Sequence, residues 1–191
     1  MQFIATLSGS DFVWQKRNCR EQVFDLYVGN DVIATVSSKN WQLTKAIARI
    51  GNMRWHFDRQ GFWRYRYIVS SVDTGETVAL FERNRWGYGG TLTWSNGRSV
   101  DFRSAEFRGK QQGWGRMQWT WFIDNQSLLH FNSKNGWFVT EARVNVMAIN
   151  LLPDDIAFLL TFGWYLLMMK KFDVINGAVI IAAVILYMWW V

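Results

Sequence analysis

The chain has 191 residues, a net charge of +6, a composition that is 50% hydrophobic, and one cysteine, Cys19. That length allows one sizeable domain with an appendage, and a lone thiol excludes an intrachain disulfide scaffold, which fits a reducing compartment. Met1-Gln2-Phe3-Ile4-Ala5 lacks a basic segment followed by a long apolar run, so a secretory signal is not expected.

From residue 12 to residue 149 short runs of β-branched and aromatic residues alternate with turn signals, the pattern of an antiparallel all-β domain. The turn candidates are Gly29-Asn30-Asp31, Asp58-Arg59-Gln60-Gly61, Asp73-Thr74-Gly75-Glu76, Ser95-Asn96-Gly97-Arg98, Asp124-Asn125-Gln126 and Lys134-Asn135-Gly136. Their Gly, Asn and Asp residues supply positive φ and local side-chain bonds. Thirteen tryptophans and one proline fit a chain rich in strand formers. The spacing predicts about a dozen strands.

Alternation assigns the faces. Met53, Trp55 and Phe57 share one side, with Arg54, His56 and Asp58 opposite. Over 62–69, Trp63, Tyr65, Tyr67 and Val69 oppose Arg64 and Arg66; over 116–123, Met117, Trp119, Trp121 and Ile123 share a face. A sheet with one apolar face has to close or be covered. About eight strands already make a barrel just filled by its own side chains, so a dozen leave a bore that something must occupy.

The next stretch supplies an occupant. Pro153 suits the first position of a helix, Asp154 and Asp155 suit its positive end, and Lys170 and Lys171 suit its negative end. Between them, residues 156–169 are 14 uncharged residues with no polar face, about 21 Å of helix. A helix apolar all round must be buried all round, and this one is short for a ~30 Å hydrocarbon core, so it reads as the core of the barrel.

Beyond the charged link Lys170-Lys171-Phe172-Asp173, residues 174–191 form a second apolar segment of 18 uncharged residues, about 27 Å as a helix. Tyr187, Trp189 and Trp190 stand at one end and the lysine pair before the other, the arrangement of interfacial aromatics and snorkelling cations around a span. The segment is expected to cross a membrane once with the β domain on the cytoplasmic side. The competing expectation is a hydrophobic helix packed on the domain.

A meander of about twelve strands, the Trp-rich run Trp119-Thr-Trp-Phe-Ile-Asp-Asn-Gln-Ser-Leu-Leu-His-Phe131 and the sequence Leu-Pro-Asp-Asp-Ile-Ala-Phe-Leu-Leu resemble the tubby C-terminal-like superfamily. That superfamily includes LURP-one-related proteins and phospholipid scramblases. The resemblance covers roughly residues 12–171 and implies a closed twelve-stranded barrel around a hydrophobic helix, which places the barrel with its central helix in residues 1–171. Residues 174–191 extend beyond that pattern.

Catalytic groupings are scarce. His56, His130 and Cys19 would all be needed, with a carboxylate, for a zinc site of these residue types, so neither metal nor cofactor is expected. Asp154 and Asp155 are accounted for by the helix start, and Gly87-Tyr88-Gly89-Gly90 lacks the Lys-Ser/Thr and helix of a phosphate loop. The protein is therefore expected to be no enzyme.

The basic residues carry the remaining signal, since residues 1–151 hold 19 basic and 12 acidic residues. Arg64 with Arg66, and Arg83 with Arg85, are spaced by two, which on a strand aims both guanidinium groups of a pair at one face where a phosphate would fit. In the tubby branch phosphoinositide binding uses basic residues so spaced, so the resemblance implies these four as lipid-headgroup ligands. The solvated outward arginine is the plainer expectation. Arg98, Arg103, Arg108 and Lys110 add charge in a region rich in loops that is expected to lie against a membrane. Nucleic acid is not expected, because Trp and Tyr face away from the Arg side chains and stacking would need both on one face.

The sequence thus predicts a membrane-anchored barrel that binds or senses anionic phospholipid. Two alternatives are a scramblase-like role in moving lipid and a hollow barrel that carries an apolar ligand.

Overall fold

The computed structural model describes residues 11–18, 20–39, 43–61, 65–84, 89–104, 117–133, 141–147 and 151–188, without the side chains of Met117, 171, 172 and 174–188. Among the described residues there are twelve strands and one helix. In chain order they are β1 (Phe12–Lys16), β2 (Gln22–Val28), β3 (Asp31–Ser38), β4 (Lys45–Ile50), β5 (Met53–Gln60), β6 (Arg66–Ser71) and β7 (Thr77–Arg83). Then follow β8 (Gly89–Trp94), β9 (Ser99–Ser104), β10 (Met117–Ile123), β11 (Gln126–Ser133), β12 (Glu141–Val146) and α1 (Pro153–Met188).

Each strand pairs antiparallel with the next, and β1 also pairs with β12 through Phe12 opposite Val144 and Trp14 opposite Ala142. The sheet is a closed barrel and has no free edge. Hairpin chemistry sets its register locally. Asp124 and Asn125 both take positive φ (47° and 65°), the two-residue turn whose twist suits the strands that it joins. Gly90 of β8 sits where an added Cβ would strike the Glu82 carbonyl and the Phe81 ring, so the β7–β8 pairing requires glycine there.

The alternating faces are as expected. Trp55, Phe57, Tyr67, Val69, Phe81, Phe102, Trp119, Trp121 and Phe131 are buried, while Arg54 and Arg66 are exposed. The apolar positions of α1 between 156 and 169 are buried as well. Their neighbours come from many strands. Trp164 stacks on Trp14 of β1 with ring centroids 5.3 Å apart, and Phe158 meets Trp55 of β5 edge-on at 5.4 Å. Phe162 meets Phe57 of β5 at 5.1 Å, Phe81 of β7 at 5.7 Å and Trp121 of β10 at 6.3 Å. Trp121 also donates its indole N–H to the Leu159 carbonyl at 3.1 Å. Gly163 allows this approach, because a Cβ there would come within 2.6 Å of the Phe131 ring.

Several sequence expectations change. The turn placed at Asp58-Arg59-Gln60-Gly61 is strand through Gln60: Arg59 pairs with Tyr67 and Gln60 with Arg66, so ladder pairing overrides the turn composition. The structure adds a two-residue turn at Gly51-Asn52 between β4 and β5, with Gly51 at φ 54°. The turn at Lys134-Asn135-Gly136 lies outside the described residues.

The two apolar segments expected to be joined by a link are one helix of 36 residues, which starts at Pro153 with Asp154 and Asp155 in its first turn. Nothing between Lys170 and Asp173 breaks it: the stretch holds no proline or glycine, and Asp173 finds partners on the strands. Among the described residues no helix is long and apolar enough to cross a membrane. The side chains of 174–188, and residues 189–191 altogether, lie outside them.

Candidate functional site

In an antiparallel meander successive connections alternate between the two ends of the barrel. Arginines of the strands and their turns hold two aspartates of α1. At the end carrying the β8–β9 turn, Arg98 grips Asp155 through two bonds, Nη1 to Oδ2 at 2.7 Å and Nη2 to Oδ1 at 3.0 Å. Asp155 is a buried carboxylate in the first turn of a helix, and the fork of the arginine holds both of its oxygens. Trp94 lies under the Arg98 guanidinium, 5.1 Å from ring centroid to Cζ.

The second aspartate, Asp173, lies by the ends of β5 and β7, called the mouth below. Here Arg59 is the next-to-last residue of β5, Arg83 ends β7, and Tyr65 and Tyr67 flank the start of β6 between them. Arg59 Nη2 donates to Asp173 Oδ1 at 2.8 Å and Arg83 Nη1 donates to Asp173 Oδ2 at 2.7 Å. Arg59 also lies over the Tyr65 ring, with Cζ 3.4 Å from its centroid. The side chains of Arg59 and Asp173 are 10% and 19% exposed, so this is a half-buried cluster of two cations around one carboxylate. Burial pushes the Tyr67 phenol up to about 12, against the pull of Arg59. Tyr67 is thus neutral across the physiological range.

Lys170, one turn before Asp173, lies with its ammonium 5.9 Å from the Trp119 ring centroid. A cavity of about 20 Å³ between Leu166 and the strands is lined by Tyr67, Phe81, Phe102 and Trp119, with Arg83 and Lys170 beside them. It has room for about one water molecule.

The four arginines singled out from the sequence fall differently. Arg64 and Arg85 lie outside the described residues. Arg66 opens β6, is exposed, and pairs in register with Glu82 of β7. Arg83 has the same parity as the buried Phe81 and Ala79, which turns it to the mouth and onto Asp173. Arg66 and Arg83 therefore do not share a face. Arg98 and Arg103, expected in one membrane-facing region, are also separated: Arg98 holds the start of α1, and Arg103 pairs with Asp101 at 2.5 Å. Arg108 and Lys110 lie outside the described residues.

Sequence reasoning missed Arg59 and Asp173. They are 114 positions apart, and no local spacing reports such a pair. The available signal was indirect: an aspartate beside two lysines at the end of an apolar helix requires a partner.

No group of three or more metal-ligating side chains occurs among the described residues. His56 on β5 and His130 on β11 stand on strands far apart in the barrel order, and Cys19 lies outside the described residues. His130 Nδ1 is 2.8 Å from Thr120 Oγ1, and burial lowers its pKa. No family model, curated protein or solved structure matches the chain.

The Asp173 cluster makes a direct prediction. Asp173→Ala leaves Arg59 half-buried without its acceptor, and the expected loss of folding stability is about 1–3 kcal/mol. Chemical unfolding of the chain in mild detergent measures it. A double-mutant cycle of Asp173→Asn with Arg83→Gln is expected to show coupling, since the two groups share one bond; additive effects would mean that the cluster is merely surface charge.

Proposed function

We propose that this protein is a non-enzymatic, membrane-anchored barrel of the tubby-like kind that binds anionic phospholipid on the cytoplasmic face. In this reading α1 fills the bore over residues 156–169 and continues as the anchor over residues 174–191. The observation that carries it is the continuity of α1 from a segment buried among strand side chains, past the Asp173 cluster, into a stretch without charge.

Length supports the plug. Asp155 and Asp173, held at opposite ends of the barrel, are 18 residues apart, about 27 Å along a helix. Strands of 6–8 residues reach about 20–27 Å along their own direction and less along the axis of a barrel in which they tilt, so a helix of this length is long enough to span it. A bore so occupied is a poor carrier. The cavity between Leu166 and the strands, about 20 Å³, has room for a water molecule and not for an apolar ligand.

Basic residues at the start and end of strands, and the bias of residues 1–151 toward positive charge, support an anionic partner. The test uses a chain ending at Asp173 and vesicles with and without phosphatidylserine. Binding is expected only to the anionic vesicles and to weaken with salt, as charges are screened over a Debye length of ~8 Å. Each basic side chain near an anionic surface contributes on the order of 1 kcal/mol, so Arg64→Gln with Arg66→Gln should weaken sedimentation with vesicles roughly tenfold or more. Arg83→Gln with Arg85→Gln is expected to weaken it as well, with an added loss of stability through Asp173. Equal binding to neutral and anionic vesicles would remove the support for a lipid ligand.

A further inference from the structure

Beside the start of α1 lies an open groove of about 360 Å³, large enough for a small organic molecule. Its walls come from β5, the β6–β7 turn, β7, the last residue of β8 and the first two turns of α1. Aromatic side chains form its base. Trp55 and Phe158 are buried and Trp94 is half-buried, and the rings stand at angles to one another. Phe158 meets Trp55 at 75° with centroids 5.4 Å apart, and Trp94 at 52° with centroids 6.0 Å apart. Met53 and Val78 add partly buried apolar surface. The indole N–H of Trp55 has no acceptor among the described residues, although Trp55 is nine-tenths buried and lines the groove.

Carboxylates line the same space. Asp73 is paired with Arg54 and Asp155 with Arg98, while Asp154 is exposed and in no ion pair among the described residues. With Arg98 at its edge, the groove sets three carboxylates against two guanidinium groups and keeps an excess of negative charge. The unpaired N–H groups at the start of a helix favour an anion, and here Asp154 and Asp155 already stand in its first turn. The helix start accounts for these two aspartates but not for the aromatic groove beside them. One of its rings already meets a cation, since the Arg98 guanidinium lies over Trp94.

We propose that this groove binds a small organic cation, an ammonium or quaternary ammonium on a compact body, with its charge held between the aromatic rings and Asp154. Ring faces attract such a cation, most strongly where water is displaced, and the carboxylate adds a charge of opposite sign. An apolar body gains from Met53 and Val78, and a hydroxyl or carbonyl oxygen on it accepts from the Trp55 indole. A bare metal ion fits less well, because it needs several oxygen ligands at once and the base of the groove is carbon. The site does not depend on a membrane role for residues 174–191.

The experiment uses the full chain in an uncharged maltoside detergent, with choline as the probe. The control is dimethylbutanol, the neutral molecule of the same shape in which carbon replaces the nitrogen. Calorimetric titration and broadening of the methyl resonance of each molecule report binding. Choline is expected to bind roughly threefold or more tighter than the control. Asp154→Asn and Trp94→Leu should each weaken choline binding by a similar factor, roughly threefold or more. Asp31→Asn, which alters an exposed carboxylate at the start of β3, should leave it unchanged. Cooperative melting checks the fold of each variant, and Asp154→Asn, at an exposed position, carries the test if Trp94→Leu disturbs it. No binding of choline to the folded chain, equal binding of choline and dimethylbutanol, or binding untouched by Asp154→Asn would overturn the proposal.

Discussion

Leu160→Asp is expected to abolish the folded barrel. Leu160 is wholly buried in α1, and Trp121 of β10 bonds to the carbonyl of the preceding residue. Removing the leucine costs about 2–5 kcal/mol in lost burial and cavity. An unpaired carboxylate in that apolar setting adds several kcal/mol even after relaxation. The sum rivals the 5–15 kcal/mol that typically holds a whole domain. Leu167→Asp should act alike, since Leu167 is also buried, whereas Leu160→Met conserves volume and should cost less than about 1.5 kcal/mol. Loss of the cooperative melt and of near-ultraviolet dichroism is the readout. A Leu160→Asp variant that melts like the parent would mean that α1 is not part of the core.

Ending the chain after Asp173 is expected to release it from membranes. The deletion removes the 18 uncharged residues 174–191 but keeps the buried part of α1 and its Asp173 partners. If those residues anchor the protein, the parent stays with the membrane pellet in high salt and in alkaline carbonate. The shortened chain should leave it in high salt, because the cation contacts that remain are screened. The shortened chain should also keep the cooperative unfolding of the barrel. Its full retention in high salt would move the anchor elsewhere.

The strand framework was legible because its signals are local. Gly29-Asn30, Asp73 to Gly75, Ser95 to Gly97 and Asp124-Asn125 each lie in a turn of the structure, and period-two alternation placed Trp55, Phe57, Tyr67 and Trp121 on the buried side. The start of α1 was legible for the same reason, as Pro153 and two aspartates act within one helical turn. Asp58 to Gly61 misled because its composition suits a turn while pairing with β6 gives its first three residues strand partners.

The charge clusters were not legible. Arg98 finds Asp155 across 57 positions and Arg83 finds Asp173 across 90, and such partners are chosen by barrel closure and by the path of α1. Arg64 and Arg85 lie outside the described residues, so the pairing of Arg64 with Arg66 and of Arg83 with Arg85 stays an expectation. The structure adds the strand's facing: Arg66 is exposed and Arg83 turns onto Asp173.

The central claim is that one helix is the core of the barrel over 156–169 and the anchor beyond 173. Hydrogen exchange of the full chain in lipid nanodiscs, followed peptide by peptide, tests it most directly. Amides of 156–169 are expected to exchange only with global unfolding, at the rate of β1, β5 and β10, and removal of residues 174–191 should leave that protection intact. Exchange of 156–169 that is faster than the strands by orders of magnitude, or that depends on lipid as residues 174–188 do, would contradict the account.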